Sequence, residues 1–528
     1  MAHAGAGERR GPGFWKDPVA WLLMAVALAA LLSIALCVAR CVAVSGDMRL
    51  FATSGGEGVA IHSVWKAAHG GTVYQAPGQG VYESVFYNFL FYEGYGGFCA
   101  LIGADDDRLV AASRLLTCAA GLLGAFAQWR VLGLLLPGPF SAGERWLLAG
   151  LVALTWYGSS FMNWWLFTVR PDVPAVSLAM VGLWLALRAL RRRSPWSAAL
   201  AALPFYGAWA MKQSVVWMLS GAVLGGFLKR PTRWTAVTLA LLMFAAFGAT
   251  MALGTVAYRY QVFYAPSLDA IVLGDSLFRF QQLLPPLLLF WFFAILPALL
   301  RMRPSLAGRL AALPDEHAET WRTVAIASLI AVGMGIIALG KDGSGRNHLM
   351  EGVVLVSTLA AAGLVRVLRM QPGRLRTSLV ACAAVLALML AGRPNNSLFL
   401  DPTGIRRGDA TDVAWHLKLQ EVLASAPKPA FVSDDILAQP WYANEGRYPG
   451  NVPDLIFYQT CRRKGLTSEG GFGYLVAHGQ ISTILAGRSP ALDEDLLGPA
   501  ERAGWTARPL PAELEKAGVV YLVAPAAQ

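Results

Sequence analysis

Ionisable residues in this 528-residue chain gather at a few points, each beside a long apolar run. Glu57 stands among glycines in S-G-G-E-G, just before a stretch with helical character. An acid in a partly apolar setting holds its proton more tightly and suits a general base. The same acid at a helix start also complements the helix dipole. Arg170 and Asp172 follow in F-T-V-R-P-D-V-P-A, where Pro171 and Pro174 fix the entry to an apolar segment. Their plain reading is a snorkelling anchor and a helix-start charge. Ionisable groups at the edge of an apolar layer are costly, however, and point to function by default. Lys212 and Gln213 interrupt about 30 apolar residues in A-W-A-M-K-Q-S-V-V-W, where a helical hairpin must turn and a lysine can meet an anionic headgroup. The densest group is L-G-K-D-G-S-G-R-N-H-L-M-E-G, with Lys341, Asp342, Arg346, Asn347, His348 and Glu351. Two cations among glycines suit a phosphate, whose oxygens accept from Lys, Arg and open backbone N–H groups. Glu351 lies inside the next apolar run and needs a partner, expected to be Arg346 or Lys341. Residues 258–282 add Arg259, Asp269, Asp275 and Arg279 among aromatics, and read as an interfacial connector or a surface helix over the same site.

Other chemistries find less support. His62, His69 and His348 invite a divalent metal, but their spacing matches no strong ligand motif such as H-E-x-x-H, so no ligand set follows. The six cysteines, at 37, 41, 99, 118, 382 and 461, form neither a disulfide framework nor a CxxC pattern, and three lie in strongly apolar runs. No GxGxxG or P-loop is present, which argues against nucleotide-fuelled chemistry.

The elements that must position these residues are membrane spans. Hydrophobic residues make up 56% of the chain and charged ones 15%, against about a quarter charged in an ordinary soluble domain. The mean hydropathy of +0.48 requires many separate apolar segments. Eleven runs of near-spanning length, where about 20 residues cross the hydrocarbon layer, occupy about 19–44, 109–135, 146–167, 173–190, 197–211, 214–228, 234–257, 283–300, 322–339, 349–368 and 377–392. The first is too long for a signal-peptide core and lacks a clear cleavage site, so it reads as a retained span. The net charge of +11 comes from arginines clustered between these runs, as topology demands, rather than from a nucleic-acid surface.

Basic clusters before the first span, at 188–193, at 229–233, at 301–309 and at 366–376 mark one side as cytoplasmic. The stretch 85–103 is apolar enough to count as a span, but a crossing there would invert every later loop. It carries Asn88, Glu93 and four glycines among Tyr and Phe, and reads as an interfacial or re-entrant helix. All the polar groups above then face the outer side. Residues 1–392 form the membrane module, with a long outer loop at about 45–108. Residues 393–528 form a small outer α/β domain, with a helix at 414–425 and short buried strands in P-A-F-V-S-D-D and G-V-V-Y-L-V-A-P. Asp434 and Asp435 read as a turn.

The order of these features resembles the GT-C fold of integral membrane glycosyltransferases that use polyprenyl-phosphate sugars. The likeness is to the bacterial branch related to protein mannosyltransferases and lipid A aminoarabinose transferases. It rests on one span, a long outer loop with an acid near its start, an aromatic interfacial helix, R-x-D before a span, a K-Q hairpin and a late G-x-N-x-x-x-E element. V-S-D-D and L-A-G-R match loosely in the C-terminal region. Many relatives carry two acids in the first loop where this chain has Gly56–Glu57. The resemblance implies an α-helical polytopic protein of the bacterial inner membrane, with its active site and C-terminus periplasmic. It implies transfer of a sugar, with inversion, from a polyprenyl phosphate to a hydroxyl on a glycan, lipid or protein. Glu57 would be the base, with Asp172 assisting. Lys341, Arg346, Lys212 and Arg279 would hold the donor phosphate, supported by Arg170, Gln213, Asn347, His348 and Glu351. No cofactor is certain, and a divalent metal stays open. A transporter or flippase of lipid-linked saccharides is the competing reading. Such proteins show repeats and midplane sites, whereas here no repeat is evident and the polar groups gather at one face.

Overall fold

The computed structural model describes residues 17–46, 57–75, 78, 82–83, 85–104, 106–159, 161–162, 165–268, 271–302, 313–341, 345–391, 418–419, 421–433, 455–467, 470–516 and 518–525, with the side chain of Arg346 outside this set. Asp269, Asp342, Asp434 and Asp435, all named above, also lie outside it.

Every predicted apolar run carries a helix. With two helices of the long loop, the second and third, they are in chain order α1 (Pro18–Gly46), α2 (Glu57–Ala68), α3 (Phe89–Leu101), α4 (Asp106–Leu135), α5 (Ala142–Ala153), α6 (Asp172–Arg192), α7 (Pro195–Met211), α8 (Trp217–Phe227), α9 (Arg233–Leu253), α10 (Leu273–Met302), α11 (Asp315–Ala338), α12 (Met350–Leu368) and α13 (Arg374–Ala391). Among the described residues, six are each long and apolar enough to cross a membrane: Pro18–Val42, Arg108–Leu135, Asp172–Arg192, Arg230–Leu253, Asp315–Ala338 and Asn347–Leu368. The others are shorter or interrupted. α3 has 13 residues and so measures about 20 Å, well short of about 30 Å of hydrocarbon. Its Asn88 cap and its packing against α2 agree with a helix that does not cross.

Two elements differ from expectation. The run at 146–167 is not one helix: α5 passes into a π-turn, Leu154–Gly158, and stops where Ser159 Oγ accepts from Phe161 N–H at 3.2 Å. A serine side chain that offers the backbone a local partner competes with the helix there. The run at 283–300 starts ten residues early, so Asp275 and Arg279 lie on α10 rather than in a loop.

α12 is enclosed on all sides, while α9 leaves most of its surface open. Phe244 and Leu253 on α9 are exposed apolar groups of the kind that lipid covers. Inside the bundle, α6 packs on α4 and α7, α8 on α11, α10 on α12, and α1 on α5 and α13. The C-terminal part forms a sheet of β1 (Ala430–Val432), β2 (Thr483–Gly487), β3 (Thr506–Ala507) and β4 (Val519–Val523) in the order β1-β2-β4-β3. β1 and β2 are parallel, and the other pairs antiparallel. The fully buried β2 is at the centre, and both strands expected from sequence are present. Helical residues are described at 418–419 and 421–425 within the expected helix.

Candidate active site

Hydrogen bonds join the five predicted outer loops at one end of the bundle. Asn88 Nδ2 donates to Trp209 O at 2.9 Å, and Gln213 Nε2 donates to Phe86 O at 2.6 Å and Val262 O at 3.0 Å. Gln261 Nε2 donates to Gln75 O at 2.8 Å and Glu83 O at 3.1 Å. Val272 N–H donates to Gly340 O at 3.0 Å. The basic clusters meet elsewhere, where Arg191 bonds His317 at 3.0 Å, Lys229 pairs with Glu319, and Arg369 pairs with Glu144 at 2.6 Å. The two sets are thus segregated, as alternate crossings require.

At the centre of this loop end is Asp172, buried at the first turn of α6. Its Oδ1 accepts from Lys212 Nζ, at the α7–α8 turn, and from Asn347 Nδ2 at 2.8 Å. Among the described residues its Oδ2, equally buried, has no hydrogen-bond partner, and neither does Asn347 Oδ1. A buried carboxylate oxygen left open is costly unless something else occupies it. His348 lies within electrostatic range of Asp172, Lys212, Lys341 and Arg170. Arg170 donates to Tyr87 Oη at 2.9 Å, and its guanidinium lies over the Tyr87 and Trp165 rings at 5.6 and 5.2 Å. These rings fix a cation beside the carboxylate. Six residues singled out from sequence therefore converge: Arg170, Asp172, Lys212, Lys341, Asn347 and His348.

Others do different work. Glu57 is wholly buried, and its Oε1 accepts from Arg114 Nε at 3.2 Å and Val169 N–H at 2.7 Å. It ties α2 to α4 and to the turn that carries Arg170. The side chain of Arg346 lies outside the described set, and among the described residues Glu351 forms no ion pair with Lys341. Glu351 accepts from Met218 N–H at 3.0 Å, and from Trp217 N–H, at the start of α8. The free N–H groups of that helix end face a carboxylate already sequestered with them, which a mobile cation does not offer. Lys341 Nζ donates to Pro266 O, and Arg279 donates to Leu339 O at 3.1 Å, at the C-terminal end of α11. Gln213 holds the aromatic loop by two backbone carbonyls.

Sequence reasoning missed Glu83. It lies buried between His62 Nε2, at 3.2 Å, and Lys66 Nζ. Burial alone pushes its carboxyl up, but His62 and Lys66 outweigh that and hold it at about 2. Burial lowers the pKa of His62, against the pull of Glu83. Arg114 was also missed, although a charge inside the run at 109–135 is itself a signal. Among the described residues His62, His69 and His348 form no common metal-ligand group, and His69 bonds Trp65 O at 2.9 Å.

No family model matches this sequence, and no curated protein is similar to it by sequence. Solved structures are similar in fold. ArnT from Cupriavidus metallidurans in the apo state superposes with a TM-score of 0.54 at 12% identity, over 93% of this chain and 97% of that one. ArnT bound to undecaprenyl phosphate gives 0.53 at 12% identity, over 96% and 98%. The archaeal oligosaccharyltransferase AglB from Archaeoglobus fulgidus, in complex with an inhibitory peptide and a dolichol-phosphate, gives 0.51 at 10% identity, over 95% and 74%. ArnT and AglB are membrane glycosyltransferases of the GT-C fold, and that is the fold of this chain.

Proposed function

We propose that the chain transfers a sugar from a polyprenyl phosphate to an acceptor hydroxyl, with the site and the C-terminal domain on the periplasmic face of a bacterial inner membrane. The observation that carries this reading is Asp172, a buried carboxylate with one oxygen held by Lys212 and Asn347 and the other open, ringed by cations in a GT-C fold. ArnT in this fold binds undecaprenyl phosphate, and AglB binds a dolichol-phosphate and a peptide.

The geometry favours Asp172 over Glu57 as the base, because Glu57 is already engaged by Arg114 and Val169. In this mechanism Asp172 Oδ2 takes the proton of the acceptor hydroxyl as that oxygen attacks the anomeric carbon. The carbon–phosphate oxygen bond breaks on the opposite face, inverting the centre, and polyprenyl phosphate leaves with the electron pair. Lys212, Arg170 and Lys341 supply positive charge as the phosphate charge develops, with Arg346 and His348 near the same end. Glu57 and Gln213 position the turn and the aromatic loop, Glu351 the start of α8, and Arg279 the end of α11.

The test is release of polyprenyl phosphate from purified radiolabelled donors. Asp172→Asn is expected to lower kcat by about 10²–10⁴, the range for loss of a general base, while Glu57→Gln acts mainly through a raised KM. Full turnover by Asp172→Asn would remove it as the base. If no donor is consumed while lipid-linked saccharide crosses reconstituted vesicles, the protein is a transporter. A reporter fused to the C-terminus checks the sidedness.

A further inference from the structure

Three thiols that the transfer reading leaves unused meet inside the bundle. Cys37 and Cys41 are one turn apart on one face of α1. Cys118 on α4 approaches both, with Sγ–Sγ distances of 3.7 Å to Cys37 and 3.7 Å to Cys41. All three sulfurs lie within 4.8 Å of one another. A disulfide would bring two of them to about 2.05 Å. An ion held by thiolates at about 2.3 Å instead sets its sulfurs about 3.8–4.0 Å apart in tetrahedral or trigonal geometry. The two spacings to Cys118 are close to that of ligands around an ion, and the third pair lies within 4.8 Å.

The surroundings complete the site. The buried Tyr157 hydroxyl, on the π-turn packed against α1, has no hydrogen-bond partner among the described residues. It lies within electrostatic range of all three thiols. Such π-turns often mark functional positions. The buried guanidinium of Arg40 lies within range of Cys37. A divalent ion with three thiolates, or a monovalent ion with two thiolates and a thiol, leaves one net negative charge, which Arg40 offsets. The metal-ligating cluster contains neither carboxylate nor imidazole, so it does not suit hard cations.

We propose that Cys37, Cys41 and Cys118 bind a soft metal ion of the copper(I) or zinc(II) class, bridging α1 to α4. Binding exchanges thiol protons for metal–sulfur bonds, the protons pass to solvent, and no electrons are transferred. The bridge lies one helical turn from Arg114, the partner of Glu57, and so braces the helix that positions the candidate active site.

The test uses the full chain, purified in detergent with a non-thiol reductant. Copper(I) is titrated against bathocuproine disulfonate and zinc(II) against a chromophoric chelator. The expected result is one ion per chain for one of the two metals, with an X-ray absorption spectrum showing a sulfur shell at about 2.2–2.3 Å. Affinity should fall at least about 100-fold in Cys118→Ser and in the milder, half-buried Cys41→Ser, and hold in Cys382→Ser, whose thiol is exposed on α13. The thermal midpoint of wild type should rise with the bound metal and that of Cys41→Ser should not. Failure to retain either ion, or equal retention in all variants, overturns the proposal. So does oxidative closure of a Cys41–Cys118 disulfide in a protein that binds no metal.

Discussion

Asp172 and Lys212 form a buried pair in which each charge depends on the other. Removing one partner of such a pair typically costs about 3–5 kcal/mol, because the remaining charge stays buried. Lys212→Met is therefore expected to lower both stability and kcat. If the two residues act as one unit, the Asp172→Asn, Lys212→Met double variant should lose little more activity than Asp172→Asn alone. Additive losses in the release assay would show independent roles. Glu83 makes a prediction about pH. Its carboxyl, held at about 2 beside His62 and Lys66, stays charged in the folded protein where the unfolded chain takes up a proton. Its stabilisation, about 3 kcal/mol for a fall of this size, is complete above about pH 4.5 and is lost as pH falls toward 2. The lowered pKa of His62 acts in the same direction, since the unfolded imidazole gains a proton below about pH 6.5. Thermal unfolding in detergent should show the midpoint falling with acid, with Glu83→Gln flattening the part below about pH 4.5.

Among elements, the short helix α8 depends on close packing. A Cβ at Gly221 would sit 2.2 Å from the Cα of Ala327 on α11, and one at Gly225 would sit 2.9 Å from the Cα of Thr323. Two small residues one turn apart let the backbones approach, as in helix pairs that pack inside lipid. Gly221→Ala must push the helices apart, at a cost of about 1–3 kcal/mol. On α9, where a Cβ at Gly248 meets nothing within 4 Å, the same change should shift the melting temperature little or raise it slightly. Equal melting temperatures for the two variants would show that α8 and α11 do not pack this tightly. The carboxylate of Glu351 fixes the other end of α8, so the helix that follows Lys212 is held at its start and along its face.

At the scale of the whole molecule, the outer loop and the C-terminal sheet share a core. Tyr82 is fully buried, with its ring 4.8 Å from that of Tyr458 and 5.4 Å from that of Phe472. Phe86 packs on Phe457 at 5.3 Å. The same loop carries Tyr87, which holds Arg170, so the C-terminal region braces a residue of the candidate site. Tyr82→Ala removes a large buried ring, worth about 3–5 kcal/mol. Limited proteolysis should then cut faster between the membrane region and the C-terminal domain, and sugar release should fall with it. Unchanged cleavage and turnover would mean that the domain does not support the site.

Local physics explains what could be read without coordinates. Burial in lipid demands long apolar runs and leaves arginines on one side, so the eleven helical runs, the separate aromatic helix and the grouping of the polar loops follow from the amino-acid order. The same reasoning found Asp172, Arg170, Lys212, Lys341, Asn347 and His348, because polar groups beside apolar runs stand out. Partner choice was not legible. Glu351 sits beside α8 because two helices far apart in sequence pack there, and nothing near residue 351 announces Met218. Glu57 meets Arg114 and Val169 across separations of 57 and 112 residues. Cys118 meets Cys37 and Cys41 across 81 and 77, which no spacing rule along one chain can anticipate. The sequence by itself determined which segments form apolar helices and that the polar groups between them gather together. The tertiary structure alone decided which buried carboxylate keeps an open oxygen, because that depends on which cations and amides the packed helices bring to it.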